Sequence, residues 1–430
     1  MRHERQCKWG WLRRPHLCLL VREKVGPRAA RRRLKPAAGT PSLLKQANQR
    51  LSLLQQAWYS RVGIHPHSAT SIDAPPDPVY TGIPSFYTLK VNMHDDIAQQ
   101  PAALRAVIDY CRSSEGAARL AAAPIGRAPI LTGMGASYHA ALAMVPYFHS
   151  LGIPALAVES IDLLNYSQVL LQEGRPLIFI SQSGTSAEVA ALAEVLPAGV
   201  PLLAVTNDVE SVLAQRAQLV LSTLAGKESG VATKTYLNCL VVLWLLARHW
   251  GGVINGDEGS TLEQVAAEIE RLVADTAATA ARWLETFDAT ERLVFAGHGP
   301  HISTARQAAM MLAERARVAA IGMGVGALRH GPIEIAQPDL GAVIFAPPGR
   351  TSASALALAG ELAGYGAQVL VVEQGRTRSL DEAPAAVAGI DEFLAPLLDV
   401  IPAQIFADAL ACKLGVGPGF RYIGKVVTRL

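Results

Sequence analysis

Cysteines, aromatic rings and long apolar runs are all scarce in this chain of 430 residues. The five cysteines (Cys7, Cys18, Cys111, Cys239, Cys412) stand far apart, with no CxxC pair and no His-rich cluster. Such a set offers neither a disulfide framework nor a zinc site, and it suits a reducing, cytoplasmic setting. Aromatics make up 6% of the residues, too few for the stacking platforms that hold single-stranded nucleic acid. The longest uncharged, mainly apolar run, Thr235 to Ala247, falls short of the roughly 20 residues that cross a bilayer. It reads as a buried helix. No metal and no organic cofactor is called for.

Apolar residues make up half of the chain and charged ones 17%, a balance that builds large cores rather than disorder. The formal charge of +3 hides a division. Residues 1–35 hold 12 of the 39 basic residues and only Glu4 and Glu23 of the 36 acidic ones. The remaining chain is therefore mildly acidic, which gives no reason to expect DNA or anionic membranes as partners. Residues 1–85 read as a basic, Pro/Ser-rich tail, with a short amphipathic helix over 42–60. The apolar run Leu17–Val21 is short for a secretory signal.

The body repeats itself. PILTGMGASYHAALAMVPYF, RPLIFISQSGTSAEVAALAEVL and VPLLAVTND give strand, turn and helix in an order matched by RLVFAGHGPHISTARQAAMML, LGAVIFAPPGRTSASALALAGEL and AQVLVVEQG. Gly133 and Gly297 are 164 positions apart and Gly184 and Gly349 are 165 apart, a constant offset that marks a duplicated unit. Short apolar strands alternating with helices imply parallel sheets covered on both faces. The expected architecture is α/β, with two tandem doubly wound domains over 86–255 and 289–430. A long helix over 256–288 is expected to join them, and a helical stretch near 94–114 to precede them.

The chemistry concentrates in a few turns. Ser181–Ser186 (SQSGTS) follows an apolar strand and opens a helix, where outward N–H groups and the helix dipole favour an anion. Ser181, Gln182, Ser183 and Ser186 would then form a neutral cradle for a phosphate dianion; the plain alternative is a Ser N-cap. Ser137, in the turn GMGASYHA, is placed to complete the cradle. That turn lacks the GK[ST] ending of a nucleoside triphosphate loop. In the second half the matching turn reads APPGRTS, whose prolines remove N–H donors.

These turns, with GKESGVATK, LRHGPIE and YIGKVVT in that order, resemble the sugar isomerase (SIS) family. The resemblance is strongest to the isomerase half of glucosamine-6-phosphate synthases and to SIS-type amino-sugar-phosphate deaminases, and it runs from about Asp95 to Lys425. It implies tandem SIS domains of flavodoxin-like topology. It also implies a phosphorylated amino sugar or ketose phosphate as partner, and a homodimer with shared sites. Ser137, Ser181, Gln182, Ser183 and Ser186 match phosphate binders. Val231 matches a residue whose backbone touches the sugar. Glu314 matches the proton carrier between C1 and C2, His330 a ring-opening histidine that reaches the neighbouring subunit, and Lys425 a tail lysine facing the carbonyl. Each has a plainer reading: Glu314 as a helix charge paired with Arg317, His330 as a packed loop histidine, Lys425 as a tail charge.

The chain departs from the synthase pattern. Ala136 stands for a phosphate-binding Thr, and Gln307 and Met311 for a Glu and a Lys. No glutaminase-type sequence stands among these residues, so feeding by glutamine is not expected. The expected activity is isomerising deamination of glucosamine 6-phosphate, or its ammonia-dependent reverse. The alternatives are an aldose–ketose isomerase or deglycase of another sugar 6-phosphate, or a non-catalytic phosphosugar sensor.

Overall fold

Two five-stranded sheets, built from apolar runs of four to six residues save for one three-residue edge strand, form the centre of the body. The computed structural model describes residues 92–422, save Ile125, Arg127, Ser229 and Ala385, together with residues 426 and 427. The basic tail, the helix expected over 42–60 and Lys425 lie outside the described residues.

Three helices lead in: α1 (Met93–Ala98), α2 (Gln100–Arg112) and α3 (Ser114–Ala121). The single stretch expected near 94–114 is broken at Gln99, because Pro101 stands in the first turn of α2, where its missing N–H costs nothing. The first sheet follows in βα order: β1 (Ile130–Gly133), α4 (Ala136–Ser150), β2 (Leu156–Glu159), α5 (Ser160–Asn165), β3 (Leu177–Ile180), α6 (Ala187–Val195), β4 (Leu202–Thr206), α7 (Val212–Arg216), β5 (Leu219–Ser222). Its strands are all parallel in the order β2-β1-β3-β4-β5. Helix α8 (Lys234–Trp250) contains the run Thr235–Ala247, buried throughout. A helix apolar on every side belongs in a core.

The expected connecting helix is instead two, α9 (Glu258–Ala274) and α10 (Thr276–Thr286), separated at Asp275 (φ −96°, ψ 20°). Helix α9 packs on both α2 and the C-terminal helix, and after the break α10 packs on the C-terminal helix. Leu262, Val265, Ala266, Ile269 and Leu272 face inward at the anticipated spacing.

The second sheet comprises β6 (Arg292–Gly297), α11 (Pro300–Met311), β7 (Ala320–Gly324), α12 (Val325–Arg329), β8 (Leu340–Phe345), α13 (Ser352–Gly364), β9 (Gln368–Glu373), β10 (Arg376–Arg378) and the terminal α14 (Ala395–Lys413). Its order, β10-β9-β8-β6-β7, repeats the first sheet's pattern, with only the short β10 antiparallel. The repeat extends to the backbone: Gly135 and Gly299, 164 positions apart, open α4 and α11 with φ and ψ of 52°, −124° and 51°, −122°. Glycine alone tolerates that conformation without strain.

The two sheets share one core. A single apolar cluster takes Ala140 and Met144 from α4, Leu243 from α8, Ile269 from α9, Ala308 from α11 and Phe406 from α14. Alanines on the facing sides of α4 and α11 allow these helices to pack closely. Smaller clusters cover the outer face of each sheet. Helix α14 has the length and hydropathy of a membrane span, but 78% of that stretch is buried inside the molecule. Residues Phe86–Leu430 form one compact unit.

Candidate active site

Strand β1 ends at Gly133 and β3 at Ile180, side by side at the point where the first sheet's strand order reverses. Ligands of doubly wound sheets bind beyond the carboxyl ends of strands at such a reversal. A cavity of about 290 Å³ lies there. Ser137, Ser181, Gln182, Ser183 and Ser186 all line it, and so does Glu314 from the second half of the body.

The SQSGTS turn holds its own shape. Ser181 Oγ accepts the Gly184 N–H (3.1 Å), and Ser183 Oγ accepts the Thr185 N–H (3.3 Å). The Gln182 carbonyl accepts the Asn207 N–H (3.1 Å). Gly184 has φ +60°, and a Cβ there would stand 2.0 Å from Ser211 Oγ. Ser186 is the N-cap residue of α6, but its side chain makes no capping bond. Capping therefore does not account for its hydroxyl, which lines the cavity.

Glu314 lies in a π-helical turn, Leu312–Ala316, that ends α11. Such one-turn bulges rotate a side chain out of the α-helical register and are frequent at functional sites. The turn closes on Arg317 in the left-handed region (φ 59°, ψ 32°), and no Glu314–Arg317 ion pair forms among the described residues. Burial alone pushes the Glu314 carboxyl up to about 7, because the charged form loses its water.

The other expected residues separate. Val231 is buried in the core, while its neighbours Gly230 and Ala232 line the cavity. His330 is exposed just after α12 and is not among the residues lining the cavity of its own chain. Lys425 lies outside the described residues; Val426 and Val427, next in sequence, line the cavity, and the Val427 carbonyl accepts the Ala187 N–H at the start of α6 (3.0 Å). Ala136 lines the cavity, whereas Gln307 and Met311 are fully buried. Gln307 Oε1 accepts from His139 Nδ1 (2.9 Å), tying α11 to α4. Desolvation lowers the His139 pKa.

Several lining residues were not singled out from sequence. Glu228, in GKESGVATK, accepts the Thr233 N–H (2.9 Å), the Thr235 N–H (3.2 Å) and the Thr235 hydroxyl (2.5 Å), and so shapes the loop before α8. Its signal was a lone acid shortly before two threonines at a helix start. Lys234 of the same motif is structural: it is buried, pairs with Asp96 (3.0 Å) and bonds Gln99 Oε1 (2.6 Å) and the Lys227 carbonyl (2.7 Å). Glu188, Met310 and Phe420 also line the cavity, and nothing in their local sequence marks them.

Residues 128–248 match the family model described as the SIS domain. The chain is 32% identical over 307 residues to a glutamine–fructose-6-phosphate aminotransferase (isomerizing) of Pyrococcus horikoshii, covering 70% of this chain and 51% of that protein. It spans about half the length of the curated relatives it matches. Among solved structures, the C-terminal domain of glucosamine-fructose-6-phosphate aminotransferase from Francisella tularensis superposes with a TM-score of 0.69 at 20% identity, covering 78% of this chain and 99% of that one. A glucosamine-6-phosphate deaminase from Thermotoga maritima gives 0.61 at 21% identity, with 78% and 99% covered. At these identities the structures establish the fold. Residues 128–248 thus carry an SIS domain, and the body of the chain is similar to one half of the isomerizing glutamine–fructose-6-phosphate aminotransferases.

Proposed function

We propose that this chain is a sugar-phosphate enzyme that isomerises and deaminates glucosamine 6-phosphate to fructose 6-phosphate and ammonia, or runs the same reaction in reverse. One observation carries the reading: a desolvated carboxyl, Glu314, shares a single cavity with the hydroxyl-lined SQSGTS turn. The second sheet, with its repeated strand order, is read as a second SIS domain over 289–430, following the first over 86–255.

The phosphate dianion would take the hydroxyls of Ser137, Ser181, Ser183 and Ser186 and the start of α6, where the helix dipole favours negative charge. Anchored by its phosphate, an open-chain sugar would extend toward Glu314. In the deaminating direction the Glu314 carboxylate takes the C2 proton, giving an enolamine, and returns a proton to C1. The resulting C2 imine adds water and expels ammonia, leaving the ketose. A carboxyl titrating near 7 can take and return a proton at neutral pH. By resemblance, His330 of a second copy opens the ring, and Lys425 faces the carbonyl.

The sequence departures at Ala136, Gln307 and Met311 keep an aldose–ketose isomerase or deglycase of another sugar 6-phosphate as a sibling reading of the same site. A non-catalytic phosphosugar sensor is the alternative from another class; the position of His330 outside the cavity lining of its own chain fits both it and a shared-site enzyme. The discriminating experiment incubates the protein with glucosamine 6-phosphate and measures ammonia and fructose 6-phosphate. Equimolar release of both, lost in Glu314→Gln, supports the enzyme. Tight phosphosugar binding with no turnover supports the sensor.

A further inference from the structure

The residue after Glu314 is not among those lining the cavity, yet it bonds the chain just before Phe420, which is among them. Arg315 is 8% exposed and makes an ion pair with Asp408 of α14 (2.8 Å). Its Nη1 donates to the carbonyls of Val416 (3.1 Å) and Gly417 (3.5 Å), and Nη2 lies 3.9 Å from Cys412 Sγ. Those carbonyls belong to the first residues after α14. The helix ends in a Schellman turn, with the Val416 N–H on the Ala411 carbonyl (2.8 Å) and the Gly415 N–H on the Cys412 carbonyl (3.1 Å). Farther along, Phe420, Val426 and Val427 line the same cavity as Glu314. Gly417, Pro418 and Gly419 are exposed, so the arginine fork is the principal side-chain hold on the root of this segment.

We propose that Arg315 is a positioning residue: it fixes the π-turn that presents Glu314 and the root of the C-terminal segment to one another, and so sets the width and dryness of the cavity between them. The proposal rests on Glu314 being the proton carrier. Arginine suits this role because its planar fork bonds a carboxylate and two carbonyls together, which a lysine ammonium does not reproduce. Lysine does retain a positive charge against Asp408. Arg315→Lys is therefore the informative variant, since removing the charge would leave Asp408 buried and unpaired.

Two measurements on the full chain test this. Amide hydrogen exchange over residues 416–427 should quicken at least tenfold in Arg315→Lys while exchange in the core of α11 stays unchanged; equal exchange in both regions overturns the clamp. With glucosamine 6-phosphate, kcat should fall about tenfold or more with KM changed less than threefold, and the acid limb of the pH profile should move downward as water reaches Glu314. Phe420→Ala should lower kcat as well, and the double variant should be little worse than either single one. Wild-type kcat and pH profile in Arg315→Lys overturn the positioning role even if exchange quickens. If the unaltered protein turns over no sugar phosphate, the functional reading has failed, and the exchange measurement still decides the clamp.

Discussion

The two strand-order reversals of this molecule share a backbone and differ in almost every polar contact. At the first, between β1 and β3, Ser137 and the SQSGTS turn border an open cavity. At the second, between β6 and β8, the counterpart of Ser137 is His301, buried against Asp399 (2.8 Å). The counterpart of SQSG is Ala346-Pro347-Pro348-Gly349, and the Glu392 carboxylate sits beside it, accepting the Arg350 N–H (3.1 Å) and pairing with the Arg350 guanidinium (2.8 Å). His298 Nε2 and Ser354 Oγ lie 3.1 Å apart. The second reversal thus carries its own anion, and Pro347 and Pro348 offer it no N–H groups. Topology supplies two equivalent places; the prolines, the Glu392 carboxylate and the buried His301–Asp399 pair set the second apart from the first, which the proposed function assigns to phosphate. The second half contributes instead the π-turn with Glu314.

The largest expected effect breaks the link between the halves. Glu314→Gln should lower kcat by about a thousandfold or more, the scale of a lost proton-transfer group, while phosphosugar affinity by calorimetry stays within threefold. Next comes Gly184→Ala, whose added methyl collides with Ser211 Oγ and strains a left-handed residue. It should abolish phosphosugar binding and lower the unfolding midpoint in denaturant, and unchanged binding would contradict the cradle. Ser183→Ala and Ser186→Ala should each weaken phosphosugar binding roughly 10-fold, the value of one hydrogen bond to a charged group. Glu392→Gln, at the other reversal, should change that affinity less than twofold. A comparable loss there would erase the distinction between the two places.

The smallest effect is on stability. The Glu314 carboxyl is raised from 4.5 to about 7 by burial, so the folded chain keeps a proton that the unfolded chain releases between those values. Stability therefore declines as pH rises through that window. Above it, the charged buried carboxylate costs about 1–3 kcal/mol. Glu314→Gln should raise the thermal midpoint at pH 8 and leave it nearly unchanged at pH 4, as read by calorimetry.

Much of this was legible in the sequence because it depends on local rules. Gly133 and Gly297, Gly184 and Gly349 keep their spacing because each turn needs a residue without a side chain at the same place. The SQSGTS turn was legible because four hydroxyls around one Gly at a helix start exceed what a single N-cap needs. What stayed hidden depends on distant partners. The break at Asp275 follows from how the two helices pack, and an unbroken apolar spacing runs through it. The π-turn has no composition signal, since LAERA would continue an ordinary helix. Glu228 and Arg315 read as surface charges until the fold places Thr235 and Val416 beside them.

Proton exchange at carbon is the most direct test of the central claim, that the cradle in one half and Glu314 in the other act on a single sugar phosphate. In D2O, nuclear magnetic resonance should show the protein placing deuterium at C1 of fructose 6-phosphate, with Glu314→Gln slower by about a thousandfold yet still binding the sugar. Exchange at the unaltered rate in Glu314→Gln, or fructose 6-phosphate that fails to bind the unaltered protein, would contradict it.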